Sequence, residues 1–155
     1  MNGTKRGAEA AGSERREARG ERREQSSNSR EIAMSTFHYR DLLVWQKAMD
    51  LAVQCYEVTR TFPAEERYGL TSQIRRAVVS VPSNIAEGQT RFHTKEFLNH
   101  LSIARGSLAE METELMIGQR VGFLTEERLQ PLLALSDEIG RMTAGLRQSL
   151  EAKLS

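Results

Sequence analysis

The chain has 155 residues, with 22 Lys or Arg against 21 Asp or Glu, a formal charge of +1, and 39% apolar and 28% charged residues. That length makes one domain with a sizeable core, and the charge balance excludes a chain held to nucleic acid by bulk positive charge alone. No stretch approaches the ~20 apolar residues of a membrane span, and the single cysteine, Cys55, excludes an internal disulfide and reads as a buried free thiol.

The composition divides the chain in two. Residues 1–36 hold eight basic and six acidic side chains in runs such as SERREARGERREQSSNSRE, with Ile32 and two Met as nearly the whole apolar supply. Such a segment cannot bury enough surface to offset its ordering entropy, so a disordered, charged N-terminal extension is expected. It lacks the apolar run of a secretory signal and carries too many acids for a mitochondrial leader, which leads to the expectation of a soluble, cytoplasmic protein. MSTFHYRDLLVW, opening at Met34, reads like a natural start, so the first 33 residues are expected to be dispensable.

From residue 37 to residue 155 the pattern is helical. A first helix is predicted over Leu42–Phe62, with Asp41 as N-cap and Leu42, Trp45, Ala48, Met49, Ala52, Tyr56 and Thr59 on one face. Leu51, Val53 and Val58 then fall outside its stripe, as Val79 does on the next helix. Pro63 ends the segment.

The most informative stretch is residues 70–88. Leu70, Ile74, Ala77, Val78, Val81 and Ile85 form an apolar stripe, while Gln73, Arg76, Ser80, Asn84 and Glu87 recur at 3, 4, 4 and 3 as a separate polar line. Gln, Ser and Asn suit neutral hydrogen bonding at a packed interface better than a wet face, which usually carries Lys and Glu. Pro82 removes the donor for the Val78 carbonyl, and because the apolar series passes through it without changing phase the segment is expected to be one helix kinked there, with two short helices as the alternative. Gly88 is the expected stop.

A third helix is predicted after Thr94 as N-cap, with Phe97, Leu101, Ala104, Leu108, Met111, Leu115 and Gly118 alternating four and three. Ala104, Gly106, Ser107 and Ala109 would let a neighbour approach closely, and Gly122 ends the helix. Thr125, followed by Glu126 and Glu127, caps a fourth helix whose inner side carries Leu129, Leu132, Leu133, Ser136, Ile139, Met142, Thr143, Leu146 and Leu150. Pro131 leaves its first turn open. The fold class is therefore all-α, an antiparallel up-down four-helix bundle, with an irregular helical domain completed in an oligomer as the alternative.

Residues for catalysis are not in evidence. His38, His93 and His100 lie apart, Glu96 and His100 make a surface pair rather than a metal site, and neither a phosphate-binding glycine loop nor a nucleophile elbow occurs. No enzyme, metal or cofactor is expected.

The segments LLVWQKAMDLAVQCYEVTRTFP, YGLTSQIRRAVVSVPSNIAEG and FLNHLSIARGSLAEMETEL, over about residues 37–146, resemble the 23S rRNA intervening-sequence proteins of bacteria. The resemblance implies a small non-enzymatic bundle in a ring-like homo-oligomer, most simply a pentamer. It also implies kinship with the accessory variability determinant of diversity-generating retroelements, which binds a reverse transcriptase and nucleic acid.

Residues 37–155 carry 14 basic and 15 acidic side chains, so ribosomal or retroelement RNA would have to meet segregated charge. Lys47, Arg60, Arg75, Arg91 and Arg105 are the candidate phosphate contacts, all in the first three helices and their connections. The competing expectations are a protein scaffold that recruits a partner such as a reverse transcriptase and, last, an all-α enzyme.

Overall fold

In the computed structural model, which describes residues 38–154, four α-helices follow one another: α1 Leu43–Thr59, α2 Leu70–Thr90, α3 Thr94–Arg120 and α4 Glu126–Glu151. Short 3-10 turns over Tyr39–Asp41 and Ala64–Tyr68 precede α1 and α2, and the described residues include no strand. The expectations for residues 1–36 and for a start at Met34 lie outside the described residues.

Each helix forms where its apolar spacing lets it bury a stripe. On α2, Ile74, Ala77, Val78, Val81 and Ile85 are buried; on α3, Phe97, Leu101, Ala104, Leu108, Met111, Leu115 and Gly118; on α4, Leu129, Leu132, Ser136, Ile139, Thr143 and Leu150. Leu133, Met142 and Leu146 pack half-buried against that core. At α1 the structure corrects the expected face. Val44, Ala48, Leu51, Ala52, Cys55, Val58 and Thr59 turn inward, with Leu51 at 0% exposure, whereas Met49 and Tyr56 are about 40% exposed. The helix is thus rotated towards Leu51 and Val58. Trp45 packs half-buried against the core, edge-on to Tyr39 with ring centroids 5.3 Å apart.

The helix ends follow local chemistry. Asp41 is not the N-cap of α1: it closes the preceding 3-10 turn, and Leu42 occupies the cap position without a side-chain hydrogen bond. Thr94 is the first residue of α3, after His93 in the cap position. Thr125 caps α4 as expected, its side chain accepting from the Arg128 amide, so Pro131 lies within the helix rather than at its start. Gly122, at φ +85°, ends α3 in a Schellman arrangement in which the Phe123 amide bonds the Gly118 carbonyl at 2.8 Å and the Gly122 amide bonds that of Gln119 at 3.1 Å.

Gly88 does not end α2, which continues two residues further to Thr90. A side chain there would put its Cβ 2.7 Å from both His100 Cβ and Phe97 Cδ2, so this glycine serves the close approach of α2 and α3. Pro82 is buried inside the continuous α2, which removes the two-helix alternative.

Each helix packs on two others: α1 on α2, α2 on α3, α3 on α4, and α4 back on α1. Side-chain pairs show the direction of packing. Asn84 meets His100, Ser80 meets Ser107 and Arg76 reaches Glu110, so α2 and α3 run in opposite directions. On α4, Ser136 meets Glu112 and Arg147 meets Ser102 of α3, which gives that pair the same relation.

Candidate functional site

The polar line of α2 lies against α3, and its centre is a hydrogen-bonded seam. Asn84 Nδ2 donates to the Ser80 carbonyl at 2.9 Å and to Ser80 Oγ at 3.0 Å, and Ser107 Oγ donates to Ser80 Oγ at 2.9 Å. Asn84 Oδ1 faces His100 Nδ1 at 3.0 Å. Since that amide oxygen only accepts, the Nδ1 of His100 carries a proton. The ends of the line are wetter. Gln73, Arg76 and Glu87 are exposed, with Arg76 3.7 Å from Glu110. Glu87 is bonded by Arg91, and His100 Nε2 lies 3.9 Å away. The Arg91 hydrogen bond holds the Glu87 carboxyl below the usual carboxylate range, with slight desolvation opposing it and the His100 and Arg91 charges adding to it.

One turn beyond Glu110, Glu114 closes the seam. It is 7% exposed, and its Oε2 is buried without a hydrogen-bond partner. Burial first, then the charge of Glu110, pushes its carboxyl above the ordinary range, against the pull of Arg76.

The structure separates the five expected phosphate contacts. Lys47 is committed to Glu138 of α4 at 3.0 Å, and Arg91 to Glu87. Arg60 is exposed at the C-terminal end of α1. Close by, Arg75 crosses from α2: its Nε donates to Thr59 Oγ1 at 3.0 Å, and its guanidinium sits over the Tyr56 ring at 4.6 Å. Neither Arg60 nor Arg75 has a carboxylate within ion-pair distance among the described residues. Arg105 is remote from both, on the outer face of α3.

Two features were not anticipated from the sequence. Arg128 of α4 donates to Thr61 Oγ1 at 2.9 Å, so a second arginine approaches the end of α1 through a hydroxyl rather than a carboxylate. The second feature is a groove of about 490 Å³ between α3 and α4, which brings Arg105 together with Arg141 at one end and with Glu112 and Asp137 at the other. Of the small residues expected to admit a neighbouring helix, Ala104 and Ser107 face inward. Gly106 and Ala109 instead face solvent, and a Cβ at Gly106 would meet nothing within 4 Å.

Among the described residues no three His, Cys, Asp or Glu are placed to hold a metal ion, and no helix is long and apolar enough to cross a membrane.

Among curated proteins, none matches this chain. A solved structure of a protein of unknown function from the S23 ribosomal protein family of Bacteroides thetaiotaomicron VPI-5482 superposes with a TM-score of 0.62 at 24% identity, over 68% of this chain and 98% of that one. At that identity the likeness speaks for the fold. The sequence itself matches the family described as 23S rRNA-intervening sequence protein over residues 40–145. With most of the helical region inside that match, from the 3-10 turn before α1 to the last turns of α4, the chain belongs to the 23S rRNA-intervening sequence protein family.

Proposed function

We propose that this protein is a non-enzymatic, RNA-binding homo-oligomer: an up-down antiparallel bundle, bent at Pro82, that closes into a ring of identical subunits, with five as the favoured number. The bend is supported by Ser83 and Asn84, whose side chains bond the carbonyls of Val79 and Ser80 next to the donor missing at Pro82. Oligomerisation is supported by apolar side chains left at the surface of α1 and α2, Met49, Val53 and Val79.

The observation that carries RNA binding is the setting of Arg75. Its Nε is used by Thr59 and its plane is fixed on Tyr56, which leaves both Nη groups of a charged, pre-oriented fork for a phosphate. Arg60 adds a second cation on the same end of α1. In a ring each such pair recurs once per subunit, so modest contacts add along a phosphate backbone.

The test is binding of the purified chain to a structured ribosomal RNA fragment across a salt series, with mass recorded alongside. Arg60→Glu with Arg75→Glu should keep the wild-type mass and weaken RNA retention at least tenfold, with a shallower salt dependence. Undiminished retention would remove this site. A protein scaffold is the second reading, favoured by the commitment of Lys47 and Arg91 to internal ion pairs; a multimer that fails to bind RNA even at low salt would support it.

A further inference from the structure

Resting on the RNA-binding reading, we infer that this protein takes its RNA as a single strand and stacks one base on Tyr68. Tyr68 closes the 3-10 turn Ala64–Tyr68 between α1 and α2 and is 88% exposed. Aromatic rings normally bury most of their surface, so a ring left this bare is available to a flat partner. Arg67 Cζ lies over one face, 5.8 Å from the ring centroid. With so little of the residue covered, the opposite face is open to a second flat group.

The turn packs on α2, and the closure of the bundle sets its surroundings. A Cβ at Gly118 would touch Phe62 and Leu70, and Arg128 donates to Thr61. The end of α1, the start of α2, the last turns of α3 and the start of α4 therefore meet at one end of the molecule. Arg60, Arg67, Arg75 and Arg128 are gathered there, none with a carboxylate within ion-pair distance among the described residues. Arg75 lies five residues beyond the first residue of α2 and Tyr68 two residues before it, so roughly 10 Å separates them along the helix. One strand can touch both.

Charge alone does not hold RNA at this end. Glu66 is spent on the Leu70 amide at 2.8 Å and Glu126 is bonded by Gln130, but Glu57, Glu65 and Glu127 are exposed within a turn of the arginines. With phosphate attraction largely offset, affinity has to come from a contact that does not depend on net charge, and a base stacked on an aromatic face is such a contact. A duplex presents phosphates while its bases stay stacked on one another, so it can use the arginines but not Tyr68. An unpaired strand can use both. Phe92, at the other end of α2, is barer still at 96% exposure, yet its neighbour Arg91 is spent on Glu87, so the pairing of open ring and free arginine is absent there.

The experiment measures the affinity of the full chain for an oligouridylate of about 16 nucleotides and for an RNA duplex of equal length, with the mass of each variant recorded. The single strand should bind more tightly than the duplex. Tyr68→Ala should weaken single-strand binding at least about fivefold and leave the duplex unchanged. Tyr68→Phe should keep the wild-type affinity, because stacking needs the ring and not the hydroxyl, and Phe92→Ala should change neither. Equal binding of the two RNAs, a Tyr68→Ala variant as tight as wild type, or a Phe92→Ala variant as weak as Tyr68→Ala would overturn the inference; the RNA-binding reading would still stand where Arg60→Glu with Arg75→Glu weakens retention of both RNAs. A changed mass for Tyr68→Ala would also overturn it, since the ring would then be a contact between subunits. Binding of neither RNA would remove both readings.

Discussion

Glu114 is buried on α3 with one carboxylate oxygen unpartnered, at the point where the polar seam runs out of donors. Burial raises its carboxyl above the ordinary 4.5, so the folded state binds this proton more tightly than the unfolded chain does. The stability gained from that proton is full below the unfolded value and is lost as pH rises through the raised folded value. Glu114→Gln should therefore be nearly neutral at about pH 4 and stabilising at about pH 8, by at most about 1 kcal/mol because solvent screens the neighbouring Glu110 and Arg76. Urea denaturation at the two pH values measures this. A variant equally stable relative to the parent at both would show that the carboxyl is solvated in the folded state. Among single residues, Ser80 and Asn84 were legible as interface groups from residue type and spacing. Glu114 was not, because its burial depends on which helix lies opposite.

Two opposing effects meet at Gly88 on α2. Alanine is the better helix former by about 1 kcal/mol, yet its Cβ would lie 2.7 Å from His100 Cβ, an atom fixed to the α3 backbone. Separating the helices to admit it costs typically 1–3 kcal/mol, so Gly88→Ala should be net destabilising by about 1 kcal/mol and should loosen the bonds from Ser80 and Asn84 to α3. A lowered thermal midpoint is expected; a raised one would mean that α2 and α3 do not approach this closely. The inner faces of α2, α3 and α4 could be read from spacing because each has a single unbroken apolar series. On α1 two series overlap, sharing Ala48, Ala52 and Thr59. Spacing alone could not choose between Met49 with Tyr56 and Leu51 with Val58, because the choice is made by the flanking helices α2 and α4.

For the molecule as a whole, the sequence carries the number of helices and their order, since short connections leave consecutive helices few places to pack. The fate of each cation was less legible. Lys47 is neutralised by Glu138, 91 positions away, and Arg75 is braced by Thr59 on another helix; such pairings follow from register between helices rather than from any local motif. The seam illustrates the missing step. Arg76, Ser80 and Asn84 on α2 are met in reverse order by Glu110, Ser107 and His100 on α3, a register that the spacing within either helix does not display. Cys55 lies in the centre of this architecture, its thiol 3.6 Å from Met111 Sδ and pushed up to about 12 by burial. At neutral pH it offers almost no thiolate and no surface, so an alkylating reagent reaches it only when α1 lifts from the rest of the bundle. The chain therefore contains its own timekeeper: labelling of Cys55 under native conditions should run at least about a thousandfold slower than in the unfolded chain, and that ratio reads the free energy of opening the bundle without any engineered probe.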